Sequence, residues 1–209
     1  PYSTALNGQT TRTFDPLGRL TSARDSDANG ANVRSVTLGY TGRTTSITDS
    51  LGRTHSRITD VGGRLRRSVD PAPGGTTRYD YDSFGNLSRI QDPGGAISTG
   101  TYNVRGFRTR WSDADAGSWT YSRNSLGELG GWTDGKGQAH FAAYDDLGRV
   151  FARTDPEGTS TWTWGTSAAA RDIGRLQAKS GFGYAESRSY DNVGRISSRT
   201  ITTDQSYQY

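Results

Sequence analysis

The chain has no cysteine, no methionine, few apolar residues and almost no lysine. Without cysteine there is no disulfide framework and no thiol chemistry. Without methionine, and with proline in first place, the sequence reads as a fragment of a longer polypeptide. Only 31% of its 209 residues are hydrophobic, where a globular domain is nearer half, so a dense central core is not expected. No apolar run approaches the roughly 18 residues of a membrane span. No signal peptide is visible, although a fragment could have lost one. Of the 25 basic residues only Lys136 and Lys179 are lysines, an arginine bias that a GC-rich bacterial genome would produce.

Disorder is the other way to be poor in apolar residues. Aromatics at 11% and a net charge of only +4 argue against it. Twenty-eight glycines, with many threonines and serines, point to strands and tight turns.

A phrase repeats. "YDSFGNLSRIQDPGG" at 81–95 returns as "YDDLGRVFARTDPEG" at 144–158, and its first half as "YDNVGRI" at 190–196. Anchoring on the glycine places equivalents at Gly18, Gly42, Gly63, Gly85, Gly106, Gly127, Gly148, Gly174 and Gly194, a period near 21 residues. Other columns test that choice. Seven residues after the glycine stand Asp25, Asp49, Asp70, Asp92, Asp113, Asp134 and Asp155. Three before it stand Asp15, Asp60, Asp82, Asn103, Asn124, Asp145 and Asp191. Two after it comes a large aliphatic residue such as Leu20, Leu65, Leu129 or Val150. Four before it comes Phe14, Tyr81, Tyr102, Tyr144 or Tyr190. Independent columns agree, so the chain is one array of about nine repeats across 1–209.

Each repeat carries two turn signals. In Y-D-x-x-G the aspartate accepts backbone N–H bonds two residues on, and glycine supplies positive φ. In D-P-x-G, proline presets the second turn position. Two strands of about six or seven residues plus two turns fill the period, so each repeat is one hairpin of an antiparallel meander. Aromatics spaced by two, Tyr79 with Tyr81, Trp119 with Tyr121, Trp162 with Trp164 and Phe182 with Tyr184, fall on one face. They are expected to stack as an aromatic ladder between repeats. Arginines after the glycine, as at Arg19, Arg64 and Arg149, are expected to pair with aspartates across strands. The second copy, "LGYTGRT" at 38–44, has lost the aromatic and aspartate columns. The stretch before Gly174 is expected to hold an extended loop.

These residues resemble the YD repeats of the Rhs family, found in bacterial Rhs polymorphic toxins, Tc toxin B and C components, wall-associated proteins and teneurins. The resemblance covers essentially the whole chain. It implies an all-β segment of a spiralling hollow shell that encloses a C-terminal toxin domain of a secreted or cell-surface bacterial protein. The partners it implies are the enclosed toxin domain or the rest of the same shell, with a secretion system as a further candidate. The aspartate-containing autoprotease segment that ends an Rhs core is not found after Tyr190, so the wall function carries over and the cleavage does not.

Chemistry beyond that is weakly signalled. The aspartates fall in turn columns, where capping explains them. "DSDANG" at 25–30 begins like a calcium loop, but Val36 stands where its last carboxylate belongs. His55 and His140 are 85 residues apart and have no cysteine to join them at a zinc. No catalytic residue, cofactor or metal is therefore expected, and the chain is read as not an enzyme. The pI near 9.5 raises nucleic-acid binding, but "GRLRR" at 63–67 is the only local basic cluster and no nucleic acid is expected. Carbohydrate stacking on the rings, in an extracellular adhesion array, is the alternative.

Overall fold

The computed structural model describes residues 8–203. These described residues form eighteen β-strands and no helix. Two compact units divide the chain, residues 1–100 and 101–209. The first holds β1 (Gln9–Phe14), β2 (Leu20–Ser26), β3 (Asn32–Thr41), β4 (Thr44–Asp49), β5 (Thr54–Thr59), β6 (Leu65–Val69), β7 (Thr76–Tyr81) and β8 (Leu87–Gln91), and β9 (Ile97–Tyr102) spans the boundary. The second holds β10 (Arg108–Asp113), β11 (Gly117–Arg123), β12 (Leu129–Thr133), β13 (Ala139–Tyr144), β14 (Val150–Asp155), β15 (Gly158–Trp164), β16 (Leu176–Gly181), β17 (Tyr184–Tyr190) and β18 (Ile196–Thr203).

Within each unit every strand pairs antiparallel with its sequence neighbour, as short connections dictate. The result is an all-β meander. None of the described apolar side chains is buried. Most described residues are half-buried or exposed, which suits a sequence this poor in apolar residues.

The register slips by one residue just before the repeat turn. Phe14 pairs with Leu20, Thr59 with Leu65, Tyr81 with Leu87, Arg123 with Leu129, Tyr144 with Val150, Trp164 with Leu176 and Tyr190 with Ile196, each next to a bulge. A bulge adds twist and re-aims the residue beside it. Here that residue is most often the aromatic.

Three local expectations change. Asp25 lies inside β2 and accepts from Thr10; the turn falls two residues later, at Asp27. Gly42 sits in a two-residue connection, since Thr41 pairs directly with Thr44. Phe182 is in the β16–β17 turn with φ of 50°, not on a strand with Tyr184. There "FG" forms a two-residue turn with both φ values positive, the geometry that matches strand twist.

Candidate functional site

The repeat turn is a five-residue loop built by one carboxylate. Asp60 Oδ1 accepts from the backbone N–H of Gly62 and of Arg64, at 2.9 and 3.0 Å. Its backbone N–H donates to the Arg64 carbonyl, and the Gly63 N–H donates to the Asp60 carbonyl. Its other oxygen, Oδ2, takes Arg64 Nε at 2.8 Å. The same set of bonds recurs at Asp15 with Arg19, Asp145 with Arg149 and Asp191 with Arg195. At Asp82 the amide of Asn86 replaces the guanidinium. At Asn124 the partner is Glu128, so amide and carboxylate exchange places. At Asn103 the side-chain oxygen still accepts from Arg105 and Phe107 N–H.

The arginines that follow the turn glycine thus pair within one turn, four residues from their aspartate, while cross-strand pairs form elsewhere, as between Arg89 and Asp80 and between Arg34 and Asp25. The turn geometry itself explains why. Oδ1 is occupied by backbone, which leaves Oδ2 pointing at the residue after glycine. Each carboxylate pKa is lowered as a result. For Asp60 the Arg64 N–H bond is the largest cause; for Asp145 it is the Arg149 side-chain bond.

Asp49, Asp92 and Asp134, from the second aspartate column, build the same loop. Its glycine is then the residue three on, as at Gly52, Gly95 and Gly137, all with positive φ. Asp113 accepts from Asp115 and Ala116 ahead of Gly117. Asp155 ends β14 opposite Gly158 in a two-residue turn. All nine anchor glycines, Gly18, Gly42, Gly63, Gly85, Gly106, Gly127, Gly148, Gly174 and Gly194, have φ between 58° and 92°.

A second set of contacts ties five of the repeats to the one before. Tyr81 Oη donates to the Leu65 carbonyl at 2.9 Å, Tyr144 to Leu129 at 3.1 Å and Tyr190 to Leu176 at 2.7 Å. Tyr40 does the same to Leu20, and Trp164 Nε1 to Val150. Every acceptor is the aliphatic residue two after the previous glycine. At four of these five an arginine after the previous glycine covers the ring; before Tyr144 that residue is Glu128. Arg19 lies 4.2 Å over Tyr40, Arg64 5.1 Å over Tyr81, Arg149 5.0 Å over Trp164 and Arg175 5.4 Å over Tyr190. In the Phe107 repeat the roles invert, and Arg105 and Arg123 both lie over the phenyl ring.

The expected ladder is therefore arginine on aromatic, not ring on ring. Trp132 with His140, 5.0 Å apart and nearly parallel, is the one stacked ring pair among the described residues. Guanidiniums suit the gap because they stack flat and stay charged at the solvent edge. The next glycine completes the clasp. A Cβ at Gly85 would meet Arg64 Nη1 at 3.1 Å, and one at Gly194 would strike the Arg175 guanidinium.

Sequence reasoning missed two clusters. His140 stands between Asp155 Oδ1 at 2.7 Å and Asp134 Oδ2 at 3.4 Å, while Arg153 also holds Asp155 and lies over Trp132. The Asp155 hydrogen bond is the main cause raising the His140 pKa. His55 meets Asp70 at 2.8 Å with the same fifteen-residue spacing. The signal was present: two histidines four periods apart hold one place in the repeat. The second cluster is Glu186, whose side chain is 1% exposed. It takes Arg199, Tyr184, Arg188 and Lys179. These bonds, Arg199 first, hold its pKa far below the usual carboxylate range. Both arrangements are saturated pairings.

Residues 60–97 match the family model for the RHS repeat. No curated protein sequence matches the chain. Among solved structures, the TcdB2-TccC3 crystal structure aligns over 96% of this chain with a TM-score of 0.78 at 18% identity. A Photorhabdus luminescens Tc holotoxin pore aligns over 96% with a TM-score of 0.77, also at 18% identity. The chain spans only 12% and 11% of the length of those two chains.

Proposed function

We propose that this chain, an array of RHS/YD repeats, is a passive wall segment of a shell that encloses a C-terminal toxin domain in a secreted bacterial protein. The observation that carries the reading is the inter-repeat clasp. The tyrosine, arginine, aspartate and glycine columns are all used in joining one hairpin to the next. That is the economy of a wall, in which stability is a sum of nearest-neighbour interfaces. The fold shared with TcdB2-TccC3 supports a shell, and the toxin components in that structure suggest the cargo. The chain is read as not an enzyme, with the rest of its shell and the enclosed domain as its partners.

Limited proteolysis of the full-length gene product tests the reading. A sequence C-terminal to the array should resist protease while the shell is folded and become sensitive when the shell is denatured. Equal cleavage rates in both states would sink the enclosure. Any turnover abolished by one point substitution in the array would sink the passive role.

A further inference from the structure

Arg67 on β6 and Arg78 on β7 are directly opposed in antiparallel register. Both side chains therefore project from the same face, and like charges so placed repel. Both are exposed. Among the described residues neither guanidinium has a hydrogen bond, an ion pair or a ring partner. Arg43, also exposed and unpartnered in the same sense, closes a third side. It precedes Thr44, which pairs with Ile58, and Ile58 pairs with Arg67.

The three arginines line a concavity of about 400 Å³ with Arg66, Asp60 and Asp80. Neither carboxylate is free to serve them. Asp60 is filled by its own turn and by Arg64. Asp80 already takes Arg66 at 3.0 Å and Arg89 at 3.4 Å. The second unit shows how this sheet otherwise treats such a pair. Arg188 and Arg199 are also directly opposed, and the buried Glu186 carboxylate bonds both. The Arg67–Arg78 pair has the repulsion without that counter-charge.

We propose that this concavity binds a phosphate group, free or as a monoester, between Arg67 and Arg78 with Arg43 alongside. A guanidinium presents paired N–H donors that match two oxygens of a tetrahedral oxyanion. A near-dianionic phosphate offsets two facing cations, where a single carboxylate offsets one. The cleft does not suit a nucleobase. Tyr81, the ring of the adjacent turn, is covered by Arg64, and its hydroxyl is bonded to Leu65.

Calorimetry and thermal melts of the 209-residue chain, with inorganic phosphate and O-phosphoserine as probes, decide the matter. Saturable binding is expected, weakened at least about tenfold by Arg67→Gln with Arg78→Gln. In chloride alone the double variant should melt higher than the parent, because the repulsion is gone. Phosphate should raise the parent's midpoint above that in sodium chloride of equal ionic strength, and leave the variant's unchanged. Tighter phosphoserine binding assigns a monoester; tighter inorganic phosphate assigns the free ion. Should the double variant fail to fold, Arg78→Gln alone carries the same comparison. Binding within about twofold of the parent in the variant, or no phosphate effect beyond ionic strength, overturns the site.

Discussion

Tyr81 Oη donates to the Leu65 carbonyl oxygen at 2.9 Å, across sixteen residues of sequence. That bond spans a repeat boundary, while the Asp60–Arg64 pair beneath it lies within one turn. Arg64 belongs to both, through its Nε on Asp60 and its plane over the Tyr81 ring. One arginine thus couples the shape of its own turn to the seat of the next repeat's aromatic.

Tyr81→Phe should keep the ring and lose the bond. A neutral hydrogen bond contributes about 0.5–1.5 kcal/mol net. The loss should be local, appearing as faster amide exchange in β6 to β8 and little change elsewhere, as nearest-neighbour stability requires. Uniform loss of protection through the array would contradict the clasp. Tyr144→Phe should reproduce the effect around β12 to β14.

Glycine substitutions should divide by what lies above them. Gly18 has φ of +75° and open space around a new Cβ. Gly18→Ala should therefore cost only the left-handed strain, about 1–2 kcal/mol. Gly127 has φ of +92°, and a Cβ there would lie 2.9 Å from Phe107 Cζ. Gly127→Ala should cost more than Gly18→Ala in urea unfolding, and Gly127→Val more again. Equal losses at the two positions would show that the Phe107 ring moves aside freely.

The hairpin array was legible because turn chemistry is local. An aspartate and a glycine three apart state their loop without help from the rest of the chain. Pairing was less legible, because it depends on which carboxylate oxygen the backbone leaves free. Arg64 was expected to find an aspartate across strands, but it pairs with Asp60 of its own turn, because backbone N–H groups fill Oδ1 and leave Oδ2 facing it. The tyrosine tips were invisible for a similar reason. Their acceptors are main-chain carbonyls, which carry no residue identity. Tyr40 shows the limit well: its copy lacks the aspartate and the five-residue turn, yet its hydroxyl still reaches Leu20. Asp25 misled in the opposite way, by keeping the period while the turn moved to Asp27.

The His140 cluster should make stability depend on pH. His140 faces Asp155 from β14, Asp134 from the preceding turn and the Trp132 ring from β12, and Arg153 bonds the same Asp155 oxygen, Oδ1. Its pKa is raised, chiefly by the Asp155 bond. Its contribution is therefore complete below the unfolded value near 6.5 and fades as pH rises through the folded one. Burial disfavours the Asp155 carboxylate, but bonds from His140 and Arg153 outweigh it and lower the pKa. That of Asp134 is lowered mainly by the Gln138 N–H. Their contribution is complete above the ordinary value of 3.8 and fades as pH falls through the lowered ones. Denaturation midpoints should drop as pH rises from about 6.5 through the raised folded value, and His140→Gln should flatten that slope. An unchanged slope in the variant would assign the effect elsewhere.

Glu186 offers the sharpest contrast between pairing and burial. Its carboxylate lies under Tyr184 and between Lys179, Arg188 and Arg199, with 1% of the side chain exposed. Glu186→Gln keeps the shape and removes the charge. Three cations would then share a site with no anion, and Arg188 would oppose Arg199 as Arg67 opposes Arg78. Removing the buried anion costs its hydrogen bonds and leaves three cations repelling one another, although their side chains, 25% to 49% exposed, keep part of their hydration. The variant should unfold at lower urea and lose exchange protection first in β16 to β18. Adding Arg199→Gln should restore part of the loss, since one uncompensated cation goes with it. If Arg199→Gln deepens the loss instead, hydrogen bonding and not charge balance holds these three strands together.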